Sequence, residues 1–391
     1  MAQFTFCEFF AGGGMARAGL GPGWRCRFAN DFDAMKVAAY AANWGRADIR
    51  LSDVATLTLA DLPAEAVDLA WASFPCQDLS LAGEARGLGG ERDDARTRSG
   101  TFWPFWRLIR ALAGAGRPPR AIVLENVLGC LTSRGGRDFA AIAAALAGAD
   151  YRFGALVLDA VHFVPQSRPR VFFIGIRAGE AIPDALTAGG PRPGWHPAAL
   201  VGAQAAASAE AKANWIWWRP PAPAARNAAL ADLVEDEPAG VAWHTAAQTE
   251  RLLGLMTPVN RDKVAQAARS GRRMVGAVYR RTRPGEDGAP RQRAEVRFDD
   301  LSGCLRTPAG GSSRQTLLIV AGERIRSRLL SARESARLMG LDDGYILPAR
   351  YNDAYHLCGD GVCVPVVRHV AQHILEPILA GDRAKELGAA A

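Results

Sequence analysis

Paired cysteines, lysine and long apolar runs are what this 391-residue chain has least of. Its seven cysteines (7, 26, 76, 130, 304, 358 and 363) are odd in number and include no CxxC spacing, which argues against a disulfide framework and against a zinc site. No apolar run approaches the ~20 residues needed to span a bilayer, so no membrane segment is expected. The N-terminus, MAQFTFCEFFAGGG, has neither a basic leader nor a small-residue cleavage site; no secretion signal is expected, and the expected compartment is the cytoplasm. Lysine is scarce, four against 43 arginines. That usage suits phosphate and guanine recognition, and it equally fits a genome-wide composition bias.

What the chain does have is 49% hydrophobic residues with 22% charge, enough to bury a sizeable core. The length favours one large domain and one smaller. The net charge of +7 fits a polyanionic partner. Its distribution says more: residues 261–297 hold eleven Lys and Arg against four Asp and Glu, while the rest of the chain holds 36 of each.

Apolar runs at 4–10, 24–30, 67–74, 120–126 and 170–176 read as strands, several apolar on both faces like buried parallel strands. Helical spacing at 33–43, around 101–115 and at 138–148 gives a βαβα order and an open, doubly wound α/β sheet. From about 178 to 240 the chain turns Ala-, Pro- and Gly-rich, interrupted by WIWWRPP (215–221). A helical stretch near 244–270 leads into the basic segment. Regular patterning resumes at Ser327, with helices expected at 331–341 and 364–379.

The first strand runs into Phe10-Ala11-Gly12-Gly13-Gly14, where glycines let backbone amides approach a ligand. As a dinucleotide fingerprint the run fails, because Arg17 stands where the third glycine belongs. Asp31 closes the second strand and is placed to take ribose hydroxyls; Asp53 is the next strand-end candidate. Cys76, in Phe74-Pro75-Cys76-Gln77, falls at a strand's C-terminal edge, where ligands bind in such sheets. It is either a nucleophile activated by its surroundings or a buried structural cysteine. About 24 residues follow without regular pattern, which reads as a functional lid or a disordered stretch. Glu125, ending the next strand, is either a desolvated proton donor or a solvated cap. Arg168 and Arg170 alternate at the start of a strand, which would point both to one face.

Taken in order, the glycine run, FPCQ, ENV, QSRPR, RLLSARESARLMG and the Gly359-Asp360-Gly361-Val362 turn resemble the motif series of bacterial DNA (cytosine-5) methyltransferases. The resemblance covers roughly 4–177 and 301–376. It implies a Rossmann-like S-adenosylmethionine-dependent methyltransferase fold over 1–177, a target-recognition domain over 178–325, and a segment 326–391 completing the catalytic domain. It implies Cys76 as nucleophile, Glu125 at N3 of the cytosine and Arg168 supporting base and thiolate. Phe10, Gly12, Gly14, Asp31, Phe32, Asp53 and Pro75 fall where that family binds S-adenosylmethionine. Ser80 and Arg170 are placed toward DNA, as are Arg280, Arg281 and Arg283 of the basic segment. Two departures stand out, Met15 for a frequent glycine and Asp360 for a frequent asparagine.

The expected partner is double-stranded DNA, acted on by a monomer that is solitary or paired with a restriction endonuclease. Two other readings share the core: a transfer-RNA cytosine-5 methyltransferase and an inactive DNA-binding relative. FPCQDLSLAG and the long basic insert favour duplex DNA over the first. Joint retention of Cys76, Glu125 and Arg168 argues against the second.

Overall fold

The computed structural model describes residues 3–75, 88, 99–226, 228–284, 288–306 and 314–381. Cys76 and Ser80 lie outside them. The five apolar runs form β1 (Phe4–Phe9), β2 (Trp24–Asp31), β4 (Leu69–Ala72), β5 (Ala121–Val127) and β7 (Pro169–Arg177). With β3 (Ile49–Leu51) and β6 (Tyr151–Asp159) they make a seven-stranded sheet ordered β3-β2-β1-β4-β5-β7-β6. Pairings from β3 through β5 are parallel, while β7 runs antiparallel to both neighbours. Every residue of β4 is buried, as a strand covered on both faces requires. The helices α1 (Met15–Leu20), α2 (Ala34–Trp44), α3 (Phe102–Gly114) and α4 (Arg137–Ala147) lie between strands in sequence. The apolar faces of α3 and α4 enter one core with Phe9, Phe74, Leu124 and Phe173. The expected mixed, mostly parallel α/β sheet is therefore present.

β6 carries Gly154 in its middle, a residue that reads as a breaker in sequence. The reason for it is tertiary: the carbonyl of Ile216 would lie 1.9 Å from a Cβ at that position. The Ile216 amide donates back to the Phe153 carbonyl at 2.6 Å, so this segment covers an edge strand that would otherwise offer unpaired backbone groups.

The chain forms two compact units, residues 1–159, 169–223 and 362–391 in the first, and 160–168 and 224–361 in the second. These divisions differ from the 1–177, 178–325 and 326–391 division that the resemblance implied. Residues 178–223 belong to the first unit: α5 (Ala198–Ala205), α6 (Ala209–Ala213) and the short β8 (Thr187–Ala188) and β9 (Trp217–Trp218) join it. Leu200, Ala211 and Trp215 enter the core of the large sheet, and the Trp218 indole donates to the Ile174 carbonyl. Aromatic burial outweighs the loop-like composition.

The second unit contains α7 (Leu230–Leu233), α8 (Ala246–Gly254), α9 (Pro258–Arg269), β10 (Arg273–Pro284), β11 (Pro290–Arg297), β12 (Thr316–Ala321), β13 (Arg324–Leu329), α10 (Ala332–Leu338) and α11 (Tyr351–Asp360). Its four strands form an antiparallel sheet ordered β11-β10-β12-β13. One face, with Val278, Val296, Leu318 and Val320, packs on Leu252, Met256 and Val264 of the helical stretch. Residues 326–361 belong here because β13 pairs along β12 and Arg328 of that strand is tied to Glu334 of α10. The last helix, α12 (Val364–Val370), returns to the first unit and widens to π geometry over 371–375.

Candidate active site

Within the first unit, the glycine turn and the C-terminal ends of β2 and β5 carry the site residues. Phe10 leaves β1 in the left-handed region at φ 57°, and Gly12 follows at φ 55°. The Gly12 amide donates to Asp31 Oδ2 at 2.9 Å, and the Asp33 amide donates to Asp31 Oδ1 at 2.9 Å. Burial, opposed by Lys36 and these two amides, raises the Asp31 carboxyl above its usual range. Phe32, next in sequence, is 68% exposed, unusual for so large an apolar ring.

The two glycines differ in what requires them. A Cβ on Gly12 would meet nothing within 4 Å, whereas one on Gly14 would lie 2.5 Å from the Trp44 indole nitrogen. Gly14, expected to contact a cofactor, is thus demanded by the packing of α2. Arg17, where a dinucleotide fingerprint needs glycine, donates to Tyr40 Oη and Asp48 Oδ2, both at 2.9 Å, and lies over Trp44. Asp53 is exposed and caps the turn Val54–Thr56 through the Ala55 amide.

Glu8, which no motif reading singled out, is 2% exposed in β1. Burial pushes its carboxyl up to about 8, against the pull of Arg17 and the backbone N–H groups of Arg17 and Ala16. Its Oε2 has no hydrogen-bond partner. Only its place in the glycine-turn strand hinted at it.

Glu125 is 7% exposed, and its Oε1 lies 3.1 Å from Arg170 Nε. In the β5–β7 register Val127 faces Arg170, which puts Glu125, two residues earlier, on the same face as that arginine. The carboxylate read from sequence as either a desolvated proton donor or a solvated cap is therefore buried and paired with a guanidinium. Arg170, placed toward DNA in the sequence reading, makes this ion pair here and also donates to the Pro169 carbonyl. Asn126, beside Glu125, donates from Nδ2 to the Phe74 carbonyl at 3.1 Å and accepts the Val127 amide. It clips the extension of β4, and hence the half-buried Pro75 that precedes Cys76, to the end of β5.

Arg168 belongs to the second unit, so the expectation that both arginines share a strand face fails: the strand begins at Pro169. Arg168 is 3% exposed. Its Nη1 donates to the Leu305 carbonyl at 3.0 Å and to Cys304 Sγ at 3.3 Å. Its Nη2 donates to the carbonyls of Gly359 and Gly361 at 2.9 and 2.7 Å. The guanidinium thus ties the 304–305 segment to the last turn of α11 and to the residue that follows it. Gln166 works alongside, accepting the Leu305 amide and donating to the Leu338 carbonyl.

The basic hairpin divides the three arginines read from sequence. Arg281 and Arg283 share one face of β10, and Arg280 lies on the other, exposed beyond the part of that face that packs on the helices.

Residues 4–376 match the family described as C-5 cytosine-specific DNA methylase. The chain belongs to that family. Type II methyltransferase M.NlaX of Neisseria lactamica is 25% identical over 377 residues, covering 95% of this chain and 96% of its own. Type II methyltransferase M.HpaII of Haemophilus parainfluenzae is 24% identical over 396 residues, covering 96% and 90%. Among solved structures, S. pombe Dnmt2 methyltransferase superposes with a TM-score of 0.58 at 17% identity, over 96% of this chain and 98% of that one, a likeness of fold. This C-5 cytosine methylase has the mostly parallel sheet that its motif order implied, and a separate four-stranded antiparallel sheet that the sequence did not announce.

Proposed function

We propose that the chain methylates C5 of a cytosine flipped out of a specific duplex DNA sequence, as the modification enzyme of a restriction-modification system or as a solitary methylase. The observation that carries this reading is the Asn126 clip, which fixes the backbone leading to Cys76 beside the Glu125–Arg170 pair. C5 of cytosine is a poor nucleophile. Addition of the Cys76 thiolate at C6, with Glu125 supporting a proton at N3, turns C5 into an enamine carbon. After methylation, loss of the C5 proton lets the C6–S bond break and frees the thiolate. Neither ring carbon is accessible in a stacked duplex, so extrusion costs a few kcal/mol.

S-adenosylmethionine, when bound, supplies the electrophilic methyl group. The residues present fit it. The space beside Gly12 is open, Asp31 is fixed by two amides for ribose hydroxyls, Phe32 offers an exposed ring for stacking, and Glu8 keeps an unpartnered oxygen. Arg168 holds the 304–305 and 359–361 segments together; the motif series gives it the role of supporting the base and thiolate.

The test is a duplex with 5-fluorocytosine at the methylated position. Attack and methylation proceed there, but no C5 proton can leave, so a denaturation-resistant adduct should accumulate with S-adenosylmethionine present. Cys76→Ala should abolish it. Cys304→Ala should retain it, although Cys304 is the only cysteine among the described residues that is partly exposed. Methylation of ordinary DNA without such an adduct would reject the nucleophile.

A further inference from the structure

Gly303 is buried, and its own conformation does not call for glycine, because its φ lies outside the left-handed region. What calls for it is Tyr279 of β10. A Cβ on Gly303 would lie 2.0 Å from Tyr279 Oη, 2.2 Å from Cε1 and 2.4 Å from Cζ, so the backbone at 303 rests directly against that ring. Tyr279 stands on the face of β10 opposite Val278, away from the helices that Val278 packs on. The ring is held in place: an Arg297 N–H donates to the Tyr279 hydroxyl, Arg297 Nε is tied to Asp299 Oδ1 at 2.6 Å, and the Arg281 guanidinium lies 5.7 Å from the ring centre. The same stretch of chain is bonded to residues 165–168. The Ser302 amide donates to the Pro165 carbonyl at 2.8 Å, the Ser167 amide to the Ser302 carbonyl at 3.0 Å, and the Leu305 amide to Gln166 Oε1 at 3.0 Å. Arg168 Nη1 then takes the Leu305 carbonyl and Cys304 Sγ as acceptors. Every one of these residues belongs to the second unit.

From this contact we propose that Tyr279 is a positioning residue for the methylation: its ring sets the place of residues 303–305 and, through the Leu305 carbonyl and Cys304 Sγ, the orientation of the Arg168 guanidinium. The proposal rests on the proposed function and on the role that the motif series gives Arg168. Neither Tyr279 nor Gly303 lies in a motif read from the sequence. The guanidinium is planar and carries its donors in a fixed fork, so a shift of the acceptors on Nη1 turns the whole group against the Gly359 and Gly361 carbonyls that hold Nη2. Arg168 is buried, so bulk water does not replace a bond lost in that way. The bulk of the Tyr279 ring does this work, with the hydroxyl serving to anchor it to Arg297.

The test is the methylation kinetics of the full-length protein on a duplex, with thermal unfolding to verify each variant's fold. Tyr279→Ala should lower kcat about 10- to 100-fold, the cost of a misplacement on the order of 1 Å, and leave KM for DNA and for S-adenosylmethionine within about twofold. Tyr279→Phe keeps the ring and should stay within about threefold of the wild-type kcat. Gly303→Ala should lower kcat at least as far as Tyr279→Ala, and the double variant Tyr279→Ala/Gly303→Ala should recover about tenfold over Gly303→Ala, because the ring that excludes the methyl group is gone. In an Arg168→Lys background, Tyr279→Ala should cost less than about twofold, since the two residues act as a unit. A Tyr279→Ala protein that loses stability but keeps the wild-type kcat would show a packing role alone and overturn the proposal. So would a raised KM for DNA with kcat unchanged, an equal loss in the Arg168→Lys background, or a double variant no better than Gly303→Ala. In each of those cases the wild-type 5-fluorocytosine adduct still upholds the proposed function. A wild-type protein that neither methylates the duplex nor forms the adduct would overturn the proposed function and this role with it.

Discussion

Arginine does different work in the two compact units. In the first, arginines are set against acids: Arg120 bridges Asp68 and Glu180 at 2.9 and 2.7 Å, Arg17 holds Asp48, and Arg170 holds Glu125. Each carboxylate sits on or beside a strand of the large sheet, so the pairing fixes backbone or a reacting group. In the second unit the hairpin arginines outnumber their acids and face solvent. Outside the hairpin the second unit also holds structural arginines, Arg168 against backbone carbonyls and Arg328 against an acid. The contrast is sharpest at Arg328. It is fully buried and forms a fork-to-fork pair with Glu334, Nη1 to Oε2 at 2.8 Å and Nη2 to Oε1 at 2.6 Å. A residue type abundant throughout the chain is structural where a buried acid meets it, and in the hairpin it stands at the surface with only long contacts to Glu295 at Arg281 and Arg283. Composition alone could not separate these uses.

The sharpest way to break this contrast is at Glu125. If the Glu125–Arg170 pair serves the chemistry, Glu125→Gln should slow methylation by about 10²- to 10⁴-fold, in single-turnover assays, while the fold is retained. A loss under tenfold would make the pair a structural tie like Arg120–Asp68.

Next in size is Arg328, which tests how much a buried ion pair of the second unit contributes to stability. Arg328→Met leaves Glu334 buried without its cation and should cost about 3–5 kcal/mol of stability in urea unfolding. Arg281→Gln and Arg283→Gln in the hairpin should each stay within about 0.5 kcal/mol of wild type. Equal losses at both places would erase the distinction.

Asp31→Ala removes an acceptor that two backbone amides hold in place. It should weaken S-adenosylmethionine binding by about 1.5–3 kcal/mol, read by calorimetry. Wild-type affinity in that variant would leave Asp31 as a purely structural anchor of the glycine turn.

The most gradual effect, spread over several pH units, separates a buried acid of the first unit from the exposed charges of the second. Glu8 binds its proton more tightly when folded, about 8 against an ordinary 4.5. The folded state then holds more protons between those values, so its contribution is complete below 4.5 and is lost as pH rises toward 8. The slope is at most about 1.4 kcal/mol per pH unit. Glu8→Gln should flatten stability across that window. An unchanged pH profile would place the proton elsewhere.

Much of the first unit was legible in the chain. Continuous apolar runs such as LAWA and AIVLENV mark buried parallel strands, and Asp33, which caps α2 through the amides of Met35 and Lys36, marks a helix start. The glycine run, ENV and QSRPR lie at the ends of those strands, where local sequence and topology agree. β6 was hidden by Gly154, whose need arises from Ile216, 62 residues away in sequence.

What the sequence by itself determined, then, is local: strand runs, helix caps, the glycine turn, the motif order, and the place where excess positive charge accumulates. What only the tertiary structure decided is which groups meet. The pairing of Glu125 with Arg170 depends on an antiparallel register, the separation of Arg168 from Arg170 on where a strand begins, and the grouping of Arg281 and Arg283 with Arg291 and Arg293 on cross-strand partners. The unit boundaries followed aromatic burial and strand pairing, not composition. The physical reason is common to all of these. Side-chain periodicity is written along the chain, whereas register and packing are set by contacts between segments far apart in it, and a one-residue shift sends a side chain to the opposite face.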